Sequence, residues 1–197
     1  MKETGISSEK IIRRKGDGQL EYQPDELTIE EPLEIRIGGK AVATTMRTPG
    51  HDDELAVGFL VSEAIIRKRN DLQEISAKEN TATAVLAPGV KLKSSSAQRF
   101  GTISSSCGLC GKTSIAAIRQ NFPSIKSKTV RIDLETLLTL PARLREHQGD
   151  FARTGGIHAA GLFNMRGNAL IVREDIGRHN AVDKVIGRAF LDDLLPL

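Results

Sequence analysis

The clearest pattern in the chain is Leu33-Glu34-Ile35-Arg36-Ile37, where apolar and polar positions alternate with period two. That period is the mark of a half-buried strand. Gly38-Gly39 separates it from a second strand-like run at 41–46, and two glycines between two such runs predict a tight hairpin. After Pro49-Gly50, the run Asp52-Asp53-Glu54-Leu55 opens a predicted helix reaching about Ile66, with Leu55, Phe59 and Leu60 as its core stripe. Three acidic residues in its first turn suit the positive end of the helix dipole.

Strands are expected near 74–77 and 81–86, stopped by Pro88-Gly89. Ser104, Ser105 and Ser106 offer helix caps, and Ile115, Ile118 and Phe122 recur at helical spacing before Pro123. A helix is expected over 134–147, with Pro141 as a break point. Two strands, 157–163 and 169–174, flank the turn at 164–168. A last helix starts at about Asn180, with Val182, Val185, Ile186, Ala189 and Phe190 on one side. Residues 1–26, polar and glycine-containing, read as a flexible lead-in. No internal repeat or low-complexity tract is present. Mixed strands and helices of this kind indicate an α/β or α+β protein.

Composition narrows the classes. The chain has 197 residues, 39% of them hydrophobic and 27% charged, which is ordinary for a globular protein with a real core. A net charge of +3, with six Phe, one Tyr and no Trp, argues against nucleic-acid binding and base stacking. No apolar run has membrane-spanning length, and the first residues lack the apolar stretch of a secretory signal. A cytoplasmic, reducing setting is the expectation, and there a pair of closely spaced cysteines suggests catalysis or metal binding.

The two cysteines stand three apart in Ser106-Cys107-Gly108-Leu109-Cys110-Gly111-Lys112. Such a pair can form a disulfide, pass a sulfur atom or share a metal. Cys107 lies at or just before a predicted helix N-terminus with Lys112 nearby, and both features favour a thiolate. Gly108 and Gly111 leave room for a donor or acceptor to approach. The alternatives are buried structural thiols, a thioredoxin-like redox pair, and zinc held with help from His51, His147, His158 or His179. Zinc deamination is disfavoured because His158 is followed by Ala159-Ala160, without the proton-shuttling glutamate. Gly111-Lys112-Thr113 resembles the end of a phosphate-binding loop, but position 106 is Ser where that motif needs Gly.

Two further segments carry candidate chemistry. In Thr154-Gly155-Gly156-Ile157-His158, the glycines allow close backbone approach beside a histidine. In the run from Arg173 to Lys184, a strand ends, Gly177-Arg178-His179 follow, and a helix begins. Free N–H groups and an arginine at such a junction suit a phosphate. Glu174, Asp175 and Asp183 would repel one unless they pair elsewhere. The plainer alternative is a capped helix with Asn180 as its N-cap.

These segments, with Met46-Arg47-Thr48-Pro49-Gly50 and Glu54-Leu55-Ala56-Val57-Gly58-Phe59-Leu60, resemble the formate dehydrogenase accessory sulfur carriers, the FdhD family. The resemblance implies a carrier that takes persulfide sulfur from a cysteine desulfurase. It passes that sulfur to the molybdenum cofactor, in its bis-molybdopterin guanine dinucleotide form, before insertion into formate dehydrogenase. It makes Cys107 the sulfur-accepting residue with Cys110 beside it. It also gives a homodimer, no resident cofactor or metal, and a cytidine-deaminase-like three-layer core with an N-terminal β-hairpin part. Gly177, Arg178, His179 and His158 become candidate contacts to the guanine dinucleotide pterin. On this reading residues 27–100 form the N-terminal part, and 101–197 form the deaminase-like part, C-terminally short relative to the family. The rival functions are a zinc hydrolase, a CxxC redox protein and a non-catalytic interaction module.

Overall fold

The computed structural model describes residues 5–90, the backbone of 102–103, and residues 131–195. Its strands and helices bear out a mixed α/β protein. Strands β3 (Glu31–Ile37) and β4 (Lys40–Arg47) form the predicted hairpin, antiparallel, around Gly38 and Gly39. Both glycines have positive φ, 53° and 84°, the geometry that a two-residue hairpin turn demands. Helix α1 (Asp52–Ser62) follows, then β5 (Leu72–Lys78) and β6 (Thr81–Leu86). A short strand β7 (Thr102–Ile103) completes a five-stranded sheet of order β5-β6-β3-β4-β7. Pairing is parallel at β3–β6 and β4–β7, and antiparallel elsewhere.

The alternation in β3 does what its period implies. Leu33, Ile35 and Ile37 are buried, while Arg36 pairs with Glu34 on the other face at 2.5 Å. After helices α2 (Leu134–Glu146) and α3 (Gly149–Thr154), β8 (His158–Phe163) and β9 (Ala169–Asp175) form a second antiparallel pair. Pro141 sits within α2 without ending it. Helix α4 (Arg178–Leu191) then crosses α1 and covers β8 and β9. Its Phe190 enters the core formed by α1 and the five-stranded sheet, and Val185 and Ala189 pack with Ile171 of β9.

The α1–α4 crossing is a contact of backbones. A Cβ on Gly58 would overlap the Asp183 carbonyl, and one on Gly187 would overlap the Glu54 carbonyl. Two glycines facing each other's helix let the axes approach far more closely than side chains would allow.

The start of the chain departs from expectation. In place of a flexible lead-in over 1–26, strands β1 (Ile6–Arg14) and β2 (Leu20–Thr28) form an antiparallel hairpin. Most of its side chains are solvent-exposed on both faces. The one-sided apolar alternation that marks a strand packed on a core is therefore missing. Its root is fastened to α3 by Thr28 Oγ1 donating to Thr154 Oγ1 at 3.0 Å, and by an Arg153–Glu26 ion pair.

Candidate functional site

Four of the six expected site residues lie among the described ones, and the fold brings them together. Gly177 is the N-cap of α4, and Arg178 and His179 are its first two residues. His158 opens β8, where the register sets it opposite Asp175, two residues before Gly177. Arg178, His179 and His158 are exposed. Cys107 and Cys110 lie outside the described residues, as does the helix expected at 113–121. The neighbouring strand β7 is described, with Ile103 opposite Thr45 of β4.

Asp175 holds this junction in shape, a role the sequence did not disclose. It is fully buried, and its carboxylate meets four donors. Oδ1 accepts from the Gly177 N–H at 2.8 Å and Asn180 Nδ2 at 3.0 Å. Oδ2 accepts from the Thr48 N–H at 3.2 Å and pairs with Lys184 Nζ at 2.7 Å. Lys184 is buried too, and donates to the Thr48 carbonyl at 2.9 Å and the Glu174 carbonyl at 3.4 Å. The Ile176 N–H donates to Thr48 Oγ1 at 3.0 Å. Buried charges persist only when paired and hydrogen-bonded in this way.

Asn180 is not the N-cap that the sequence suggested. The helix begins two residues earlier, at Arg178, and the Asn180 side chain works across the fold. Its Nδ2 also donates to the Met46 carbonyl at 2.7 Å, and its Oδ1 accepts from Thr45 Oγ1 at 3.3 Å. Strand β4, strand β9 and the first turn of α4 are thereby tied at one point.

The sequence left open whether neighbouring carboxylates would repel an anion here. Each has a partner. Asp175 pairs with Lys184, Glu174 accepts from the N–H groups of Asp150 and Phe151 at 3.0 and 2.8 Å, and Asp183 accepts from Ser62 Oγ at 2.7 Å. The first turn of α4 contains no acidic residue of its own, and the Asp175 carboxylate beneath it is matched by the buried Lys184 ammonium. Burial, with the Arg178 charge beside it, lowers the His179 pKa and favours its neutral ring.

A second charged layer lies behind this junction. Arg47, fully buried, binds Asp52 through two nitrogens at 3.0 and 2.8 Å and also reaches Asn80 at 3.0 Å. Glu54 on α1 accepts from Arg173 of β9 at 2.5 and 2.8 Å, with His51 Nδ1 3.4 Å away. Burial alone would raise the Glu54 pKa, but Arg173 and His51 override it and hold it at about 2. A cleft of about 1000 Å³ opens beside these groups, lined among others by His51, Glu54, Arg173, Glu174 and Lys184. Among the described residues, no three His, Cys, Asp or Glu side chains are grouped to hold a metal ion, and no helix is long and apolar enough to cross a membrane.

Asp175, Lys184 and Thr48 were the residues least visible from sequence. Their one signal was membership of the quoted segments around 46–50 and 173–184, which gave no hint that the two segments meet.

Comparison with known proteins agrees with this architecture. The chain is 48% identical over 200 residues to the sulfur carrier protein FdhD of Streptomyces coelicolor, covering 95% of this chain and 71% of that protein. It is 44% identical to the FdhD of Mycobacterium tuberculosis, covering 97% and 74%, and 40% identical to that of Thermoplasma volcanium, covering 96% and 72%. A crystal structure from Desulfotalea psychrophila, described as a candidate formate dehydrogenase accessory protein, superposes with a TM-score of 0.73 at 19% identity, over 96% of this chain and 70% of that one. The family model described as the FdhD/NarQ family matches residues 28–196, and the chain belongs to that family.

Proposed function

We propose that this chain carries sulfur for the maturation of formate dehydrogenase, accepting it on Cys107 from a cysteine desulfurase and delivering it to a molybdenum cofactor. The names of its relatives support the carrier role. The observation that carries the finer reading is the start of α4. Exposed Arg178 and His179 stand on a helix N-terminus whose neighbouring carboxylates are all engaged. That arrangement suits the phosphates of a guanine dinucleotide pterin, which is the cargo and not a resident group.

The length of chain between β7 and Cys107 supports that reading. Ile103 stands four residues before Cys107, and four residues of chain span at most about 14 Å. Thr45, opposite Ile103, is hydrogen-bonded to Asn180 in the first turn of α4.

In the first step, the Cys107 thiolate attacks the outer sulfur of the donor's persulfide. The donor S–S bond breaks and its cysteine leaves as a thiolate, so Cys107 becomes a persulfide. In the second, the Cys110 thiolate attacks the inner sulfur. The outer sulfur departs as sulfide toward the metal of the cargo, and the Cys107–Cys110 disulfide that remains is reduced by a cellular thiol. The reaction belongs in the cytoplasm, and the functional form is a homodimer.

Mass spectrometry after incubation with a cysteine desulfurase and cysteine tests the reading. The wild type should gain one sulfur atom, and Cys107→Ser should gain none. Retention of the adduct at wild-type level in that variant would refute the assignment. Cys110→Ser should load normally and fail to release sulfide.

A further inference from the structure

The N-terminal hairpin leaves one strand edge open. Among the described residues, strand β1 pairs only with β2, in a sheet of two strands. The flanking bonds fix which backbone groups face inward. The Lys15 N–H donates to the Gln19 carbonyl, and the Ile29 N–H to the Gly5 carbonyl. Residues 5 and 15 therefore face β2, and so do the odd-numbered residues between them. The backbone of Ile6, Ser8, Lys10, Ile12 and Arg14 points outward, without a strand partner in the sheet.

The β2 edge is closed to pairing. Pro24, opposite Lys10, is on the outward-facing register and has no N–H to give. The edge of β1 has no such block, and an open edge is a template for another strand. The hairpin also exposes the cross-strand neighbours Ile12 and Tyr22 at 58% and 74%, more apolar surface than a two-stranded ribbon can cover by itself.

The β1 sequence says which strand fits. Glu9-Lys10-Ile11-Ile12-Arg13 is self-complementary when read against itself antiparallel about Ile11. In that register Glu9 lies opposite Arg13 of the second copy, twice over. Lys10 lies opposite Ile12, both with outward-facing backbone, so their N–H and C=O groups match. Within one chain Glu9 is directly opposite Asp25, a like-charge pair that Arg13 answers only diagonally, 3.8 Å from Asp25. A second copy would set its Arg13 beside Glu9 on the open side, and each Arg13 would then lie between Glu21 of its own chain and Glu9 of the other.

We propose that a second copy of this chain docks here, β1 against β1, making a continuous four-stranded sheet with its two-fold axis at Ile11. This locates the interface of the homodimer in the functional reading. It needs neither cysteine.

Charge reversal and cross-linking of the full chain test it. In light scattering, Arg13→Glu and Glu9→Arg should each weaken the dimer by about tenfold or more, and the double variant should restore it. With Cys107→Ser and Cys110→Ser as background, Ile11→Cys should form an intermolecular disulfide on mild oxidation, because facing residues at the axis bring their Cβ atoms to about 5 Å. A dimer as tight in Arg13→Glu as in the wild type, a double variant no tighter than the single ones, or an Ile11→Cys chain that dimerises without cross-linking would each overturn this interface while leaving the homodimer. A monomeric wild type would overturn both. Sulfur loading of Arg13→Glu, read separately, reports on the carrier reading alone.

Discussion

The ammonium of Lys184 lies 2.7 Å from the carboxylate of Asp175, and neither side chain reaches solvent. The pair joins α4 to the end of β9, and both partners also bond the backbone of Thr48. Replacing one member leaves the other charge buried without its counterion. Asp175→Asn should cost about 3–5 kcal/mol, measured by urea denaturation. A loss under about 1 kcal/mol would mean that Lys184 finds relief elsewhere and that the junction is not held by this pair.

The α1–α4 crossing gives a second test. At Gly58 and Gly187 the obstacle to a side chain is the backbone of the opposite helix, which cannot rotate away. Gly58→Ala and Gly187→Ala should each destabilise by about 1–3 kcal/mol or more, against the small gain in helix propensity that alanine brings. Gly149→Ala at the start of α3 is the control, since nothing lies within 4 Å of its would-be Cβ. Equal effects at all three sites in thermal melts would remove the close crossing from the account.

These two relationships show what the sequence could and could not disclose. The β3–β4 hairpin, α1, and the β8–β9 pair were legible because each carries its signal locally, in Gly38-Gly39, in Asp52-Asp53-Glu54, and in two apolar runs about one turn. The junction at Gly177, Arg178 and His179 was legible as a strand end running into a helix, but its meeting with His158 was not, because only the β8–β9 register sets His158 opposite Asp175. The roles of Asp175, Lys184 and Asn180 were not legible, because their partners Thr48 and Met46 lie more than 120 residues away and only the fold brings them close. The β1–β2 hairpin was missed for the opposite reason. It is a local structure, but water on both faces erases the periodicity that would announce it.

Glu54 makes stability depend on pH. Its pKa is about 2 in the folded chain, against an ordinary value of 4.5. Between those values the unfolded chain binds the proton and the folded one does not, so stability rises with pH through that window. The contribution, about 3 kcal/mol, should be present in full above pH 4.5 and fade as pH falls toward 2. Glu54→Gln should therefore be less stable than wild type at pH 7, with the gap narrowing in acid. A gap constant from pH 7 to pH 2 would show that the loss comes from packing and not from the charge shared with Arg173.

Arg178 is the exposed cation best placed to meet a phosphate at the start of α4. Among the described residues its guanidinium has no buried carboxylate partner of the kind that Arg47 and Arg173 each have, so substitution should leave the fold intact. Arg178→Ala should lower affinity for GDP, the simplest probe of a guanine dinucleotide, by about tenfold or more, the worth of a charge-assisted hydrogen bond or two. Arg178→Lys should recover only part of it, because an ammonium cannot bind a phosphate through two parallel bonds. Affinity should also fall as salt rises for the wild type, and less steeply for Arg178→Ala. Calorimetric titration of the three proteins separates the possibilities. Unchanged GDP affinity in Arg178→Ala, with the melting temperature also unchanged, would take phosphate binding away from this junction and leave Arg178 a solvated surface charge.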